Sequence, residues 1–166
     1  MFTFYNRHNN QLYNKLVELS RNIFFYKNLT LKDNFETRII LIFLHLSIIL
    51  IIYKKNKRDK FPQKIFDNIF LNIEYHLREL GYGDVAVNKK MKILSKIFYD
   101  ILLKIQSNDF KKFKVNKNLI KKHLLCEIEQ TDELMLKISE YLESFYNFCF
   151  VLEDDTMIEG KINFKY

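Results

Sequence analysis

Glycine and proline are scarce in this chain, with three and one among 166 residues. Sandwiches and barrels need many tight turns, so the scarcity excludes an all-β fold. The two cysteines, Cys126 and Cys149, supply no disulfide framework, and the four histidines have no zinc-site spacing to them. The sequence carries no signal-peptide pattern, Gly-rich phosphate loop, HExxH, GxSxG or EF-hand loop. Paired carboxylates such as Asp154–Asp155 fall on a tail expected to be solvated, where nothing separates their pKa values for acid–base work. A secreted disulfide scaffold, a zinc module and the common motif-bearing enzymes are thereby set aside, and no cofactor or metal is expected.

What remains is 48% apolar and 28% charged, enough for one domain spanning residues 1–166 that buries roughly 70% of its extended surface. The net charge of +7 is uneven: 24 Lys/Arg face 10 Asp/Glu up to Lys122, and 3 face 10 from His123 onward. Such asymmetry suits an anionic partner. Yet 22 of the 27 basic residues are lysine in a chain rich in Ile, Asn, Phe and Tyr, so only local clusters carry weight. These are Lys54, Lys55, Lys57, Arg58 and Lys60; Lys89, Lys90, Lys92 and Lys96; and Lys111, Lys112, Lys114, Lys117, Lys121 and Lys122. Solvated faces explain most of them. Arginine is rare, no recognition-helix, RNP or KH motif is present, and DNA is not an expected partner; contact with ribosomal RNA or anionic lipid stays open.

Apolar spacing reads as helices throughout. Leu12, Leu16, Leu19 and Ile23 form one stripe, followed by an aromatic stretch, Phe24 to Tyr26. Thr30 or Asp33 is expected to cap a helix that is apolar nearly all round from Ile39 to Tyr53. Fifteen such residues span about 22 Å, short of the roughly 30 Å of a bilayer core, which favours the central helix of a bundle over a membrane span. Pro62 is placed in the first turn of the next helix, whose face is Ile65, Ile69, Ile73, Leu77 and Leu80, widened by Phe66 and Phe70. Gly81 suits a left-handed cap and Asp84 an N-cap for a helix striped by Val87, Met91, Leu94, Phe98, Ile101 and Ile105. A short helix is expected near Leu119–Leu125. Thr131 or Asp132 is expected to cap another that turns Leu134, Ile138, Tyr141, Phe145 and Phe148 inward. The tail 153–166 is expected to lie over the bundle through Ile162 and Phe164. The fold class is all-α: a single bundle of about five to seven helices around a strongly apolar one.

His45 is the unusual polar residue of the apolar helix. A core histidine bonded to a neighbouring backbone or side chain is the favoured reading, with a haem or metal ligand and a partner-binding role as alternatives. Arg38 lies seven residues earlier on the same face and is expected to hold a carboxylate from a neighbouring helix. The cysteines read as buried, inert thiols.

The most informative segment is LRELGYGD, Leu77 to Asp84, which holds two of the three glycines. Arg78, Glu79, Gly81, Tyr82, Gly83 and Asp84 cluster at a tight corner between helices, with Lys89 and Lys90 just beyond. A cap-and-turn device and a recognition surface are both open readings. The stretch Gln63 to Leu102 resembles the core of the ubiquinol–cytochrome c chaperone family through Leu77-Arg78-Glu79-Leu80-Gly81-Tyr82-Gly83-Asp84, Val87, Lys89-Lys90 and Phe98-Tyr99. Upstream, Leu12-Tyr13, Phe25-Tyr26 and the Arg38…His45-Leu46 helix are similar too. The resemblance is best over 12–105, with 160–164 matching the family's C-terminal end and 110–122 the least similar part.

The resemblance implies a non-enzymatic assembly factor that binds newly made cytochrome b and supports assembly of the cytochrome bc1 complex (respiratory complex III). It also implies a ribosome or a small partner protein as further partners and peripheral contact with the inner membrane. With no Arg/Ser-rich presequence, the expected location is the cytoplasmic face of a bacterial inner membrane, the alternative being the matrix side of the mitochondrial one. Arg38, His45, Arg78, Glu79, Gly81, Tyr82, Gly83, Asp84, Lys89 and Lys90 are the expected partner-binding residues. The rival reading is an RNA- or ribosome-associated helical module without a membrane-protein client; an enzyme acting in the bundle core trails both.

Overall fold

A computed structural model of the chain describes residues 10–56, 60–107, 112–125 and 132–166. The elements are α1 (Gln11–Ser20), a π-helical turn (Phe24–Asn28), α2 (Phe35–Asn56), α3 (Gln63–Glu79), α4 (Asp84–Lys104), α5 (Lys117–His123), α6 (Asp132–Phe150) and α7 (Asp154–Ile158). Among the described residues the only extended pairing is one antiparallel bridge between Gln106 and Val115. The fold is all-α.

α2 forms the axis. Every residue from Ile39 to Ile49 is buried, because α1, α4, α6 and α7 all pack around it. This explains an apolar pattern without a polar face: a helix enclosed by neighbours has no solvated side to mark. The element has 22 residues, about 33 Å, so it is longer than its apolar run and its length alone would suffice to cross a bilayer. The expectation that it is too short is corrected. What marks it as a core helix here is its enclosure by protein.

On one side of α2, Phe43 meets Phe70 of α3 at 5.8 Å and Phe98 of α4 at 5.3 Å, and Phe66 joins them at 4.9 Å from Phe70. Offset and edge-to-face ring pairs of this kind add to the burial they accompany. On the other side, α6 turns Ile138, Tyr141, Leu142 and Phe145 into the core, while Leu134 and Phe148 are only partly buried. Beyond the short α7, Ile162 is buried and Phe164 packs on Tyr141, Phe145 and Phe148.

Several local expectations change. Ile23 is exposed, because α1 ends at Ser20 and the chain turns before it. Leu80 is 52% exposed, as the C-cap of α3 rather than part of its core face. Neither Thr30 nor Asp33 caps α2; Asn34 does, its Oδ1 accepting from Thr37 N–H at 2.9 Å, while Thr30 takes a positive φ of 53° in the connector. Pro62 stands one position before α3, and Asp84 is the first residue of α4 with Gly83 as its N-cap. Lys57, Arg58, Lys111, Cys126 and Thr131 lie outside the described residues.

Candidate functional site

The corner between α3 and α4 closes through a Schellman arrangement. Gly81 N–H donates to the Arg78 carbonyl at 2.9 Å and Tyr82 N–H to the Leu77 carbonyl at 3.3 Å, with Gly81 at φ +93°. That conformation is the reason for glycine at 81. Gly83 is different: its backbone is ordinary extended (φ −74°, ψ 165°), and a Cβ there would meet nothing within 4 Å. Backbone conformation therefore demands glycine at 81 but not at 83, where glycine is one of several residues that serve as an N-cap.

Side chains then bracket the turn. The Arg78 guanidinium donates to Glu74 Oε1 at 2.9 Å, within α3, and also to the Asp84 carboxylate, at the start of α4. These carboxylates raise the arginine's pKa, but the group is solvated, so the bridges orient the corner more than they stabilise it. Lys90 sits 4.5 Å over the Tyr82 ring, fixing the aromatic against the first turns of α4. Arg78, Glu79, Tyr82, Asp84 and Lys89 are exposed, and Lys90 is half-buried. The corner is therefore a braced projection on the surface.

Beside it opens a groove of about 200 Å³ between α1, the start of α2 and the end of α3, lined by Tyr13, Val17, Phe35, Arg38, Ile39 and Leu80 among others. Leu80 belongs to both groove and corner, which makes the two one continuous surface. Arg38 holds Asp33, with Nε at 2.8 Å and Nη2 at 2.5 Å, a carboxylate from the connector before its own helix rather than from a neighbouring helix. Burial pushes the Tyr13 hydroxyl up to about 12. The groove was not legible in the sequence, because Leu80 continues the spacing of a core face and only the helix end turns it outward.

His45 is not part of this surface. It is fully enclosed, with Nδ1–H donating to the Leu41 carbonyl at 2.6 Å and Nε2 accepting from the Tyr141 hydroxyl at 3.0 Å. Its place on Arg38's side of α2 does not bring the two into one site: Arg38 reaches the groove, and His45 faces Tyr141 and Phe145 of α6. Both ring nitrogens are used within the core, so the partner-binding role is corrected to a structural one. Cys149 is buried, and its surroundings push the thiol up to about 12, far from a nucleophile's range. Among the described residues no three His, Cys, Asp or Glu side chains gather as a metal site.

The described residues thus form a helical bundle with a braced surface corner beside an apolar groove. The model of the ubiquinol-cytochrome c chaperone family matches residues 27–164, and the chain belongs to that family. A chaperone role in complex III assembly follows from that membership. Comparison with curated sequences finds no match. The crystal structure of the Cbp3 homolog from Brucella abortus is similar in fold, with a TM-score of 0.71 and 22% identity over 94% of this chain and 87% of that one.

Proposed function

We propose that the chain is a non-enzymatic chaperone that captures newly made cytochrome b through the 78–90 corner and the adjoining groove, and hands it on to the assembling bc1 complex. The observation that carries this reading is the continuity of the exposed, braced corner with the apolar groove through Leu80, in a chain matched by the chaperone family model over residues 27–164. An unassembled membrane protein offers apolar helices with polar ends. The groove offers Val17, Phe35 and Ile39 under a rim of Arg21 and Arg38, while Tyr82 and Lys89 extend the surface past the corner. The site of action proposed is the inner face of the membrane into which the client inserts.

The test is affinity capture from membranes solubilised in mild detergent, comparing the unaltered chain with Gly83→Phe, Tyr82→Ala and the Lys89→Glu/Lys90→Glu pair. Each variant should keep its helical content, and its unfolding free energy from urea titration within about 0.5 kcal/mol, as surface substitutions do. Each should lower recovery of cytochrome b several-fold. Undiminished capture by all three would reduce the corner to a turn, and capture of ribosomal proteins alone would favour the RNA-associated reading.

A further inference from the structure

The outward face of α4 is a second surface, distinct from the groove. Val85, Lys89, Lys92, Lys96, Tyr99 and Leu103 follow one another at steps of four and three, and all six are exposed. That spacing is a single stripe about 27 Å long on the side of the helix opposite Val87, Phe98 and Ile101, which are buried. Its apolar members are unusually open: Val85 is 85% exposed, Leu103 79% and Tyr99 51%, with Ile93 beside the stripe at 50%. Apolar side chains thus flank three consecutive lysines on one helical face.

The charge of this face is not neutralised. Asp84 is held by Arg78, and Asp100 is held by Lys104, by Lys122 at 2.7 Å and by His123 at 2.7 Å. Hydrogen bonds from Lys104, Lys122 and His123 keep the Asp100 carboxyl well below the usual carboxylate range. Among the described residues no carboxylate pairs with Lys89, Lys92 or Lys96. Lys122 also brings the basic last turn of α5 alongside the C-terminal part of α4. The face therefore presents cations without counter-charges, together with apolar side chains that gain by leaving water.

We infer that this face of α4 docks the protein on the surface of an anionic lipid bilayer, with Lys89, Lys92 and Lys96 on headgroup phosphates and Val85, Tyr99 and Leu103 dipping into the boundary below them. A stripe along the outward face of one helix suits a plane. A phosphate-only polymer would satisfy the lysines and leave Val85 and Leu103 in water, whereas a bilayer surface accepts both kinds of side chain. Bound in this way, the corner at the N-terminal end of α4 is held at the level where a membrane-inserted client exposes its helix ends. The inference goes beyond the client-binding reading and does not depend on it.

The experiment is co-sedimentation of the full chain with large vesicles of phosphatidylcholine, alone or with one-third phosphatidylglycerol, and no client present. The chain should bind the anionic vesicles and leave the neutral ones. Lys92→Glu/Lys96→Glu, which leaves Lys89 and the corner unaltered, should lower the partition coefficient at least about 25-fold, roughly fivefold for each lysine lost. Leu103→Ser should weaken binding several-fold and abolish the part that survives high salt. Circular dichroism should show the same helix content for all three proteins. The inference is overturned if the unaltered chain ignores anionic vesicles, if the lysine pair makes no difference, or if the same lysines retain an RNA oligonucleotide while vesicles stay unbound. Because no client is in the assay, these outcomes are independent of whether the corner captures cytochrome b.

Discussion

His45 and Tyr141, 96 positions apart, share a hydrogen bond of 3.0 Å in the core that ties α2 to α6. The Nδ1–H bond to the Leu41 carbonyl leaves Nε2 as the acceptor, so the tyrosine hydroxyl donates and the imidazole is neutral. Burial holds the His45 pKa down at about 4 and moves the Tyr141 hydroxyl well above its ordinary value.

This pair predicts an acid-sensitive fold. The unfolded chain takes up the imidazole proton near pH 6.5, the folded chain only near about 4. The unfolded state therefore binds more protons in that window, and stability falls as pH drops through it, by about 3 kcal/mol in all, with no further loss from this group below it. Urea unfolding from pH 7.5 to 4.5 should show a steeper loss for the unaltered chain than for His45→Gln. Tyr141→Phe, which leaves Nε2 buried without its donor, should cost about 1–3 kcal/mol at neutral pH. Parallel pH profiles for the unaltered chain and His45→Gln would refute the assignment.

Two glycines with left-handed backbones should respond differently to alanine. At Gly81, φ +93° carries the whole penalty, about 1–2 kcal/mol, because a Cβ there meets nothing. At Gly160, φ is +70° and a Cβ would also stand 2.5 Å from the Gln11 carbonyl oxygen, where the end of α7 crosses the start of α1. Gly160→Ala should therefore destabilise more than Gly81→Ala in urea titrations. Equal effects would mean that the crossing is looser than it looks.

The ring cluster on α2 should behave as core. Phe43→Ala removes the aromatic that meets both α3 and α4 and should cost about 3–5 kcal/mol. Ile23→Ser, at a position that shares the apolar spacing of α1 but is 58% exposed, should change the unfolding free energy from urea titration by less than about 0.5 kcal/mol. A large effect at Ile23 would show that the turn after α1 packs more closely than described.

Sequence and structure divide over Leu80 and Leu77. Both continue the spacing of one helical face, yet Leu77 is enclosed and Leu80 open, because the Schellman turn ends the helix between them. Periodicity names the face a helix would bury but not the residue at which burial stops. His45 shows the complementary case. A polar residue inside an apolar run signals that something must satisfy it, and the local chain supplies one partner in Leu41; the other, Tyr141, comes from a helix far along the sequence. Arg38 likewise announced a carboxylate without indicating that Asp33, five residues away, would reach it first.

The amino-acid order by itself determined the helical class, the enclosed character of α2 and the glycine cap at 81, since each follows from spacing or backbone conformation within a few residues. Tertiary packing decided which side chains remain in solvent, and with that the groove beside Leu80, the open space at Gly83 and the lysine stripe of α4. Exposure depends on what comes to lie against a helix, and those neighbours are set by contacts between segments distant in the chain.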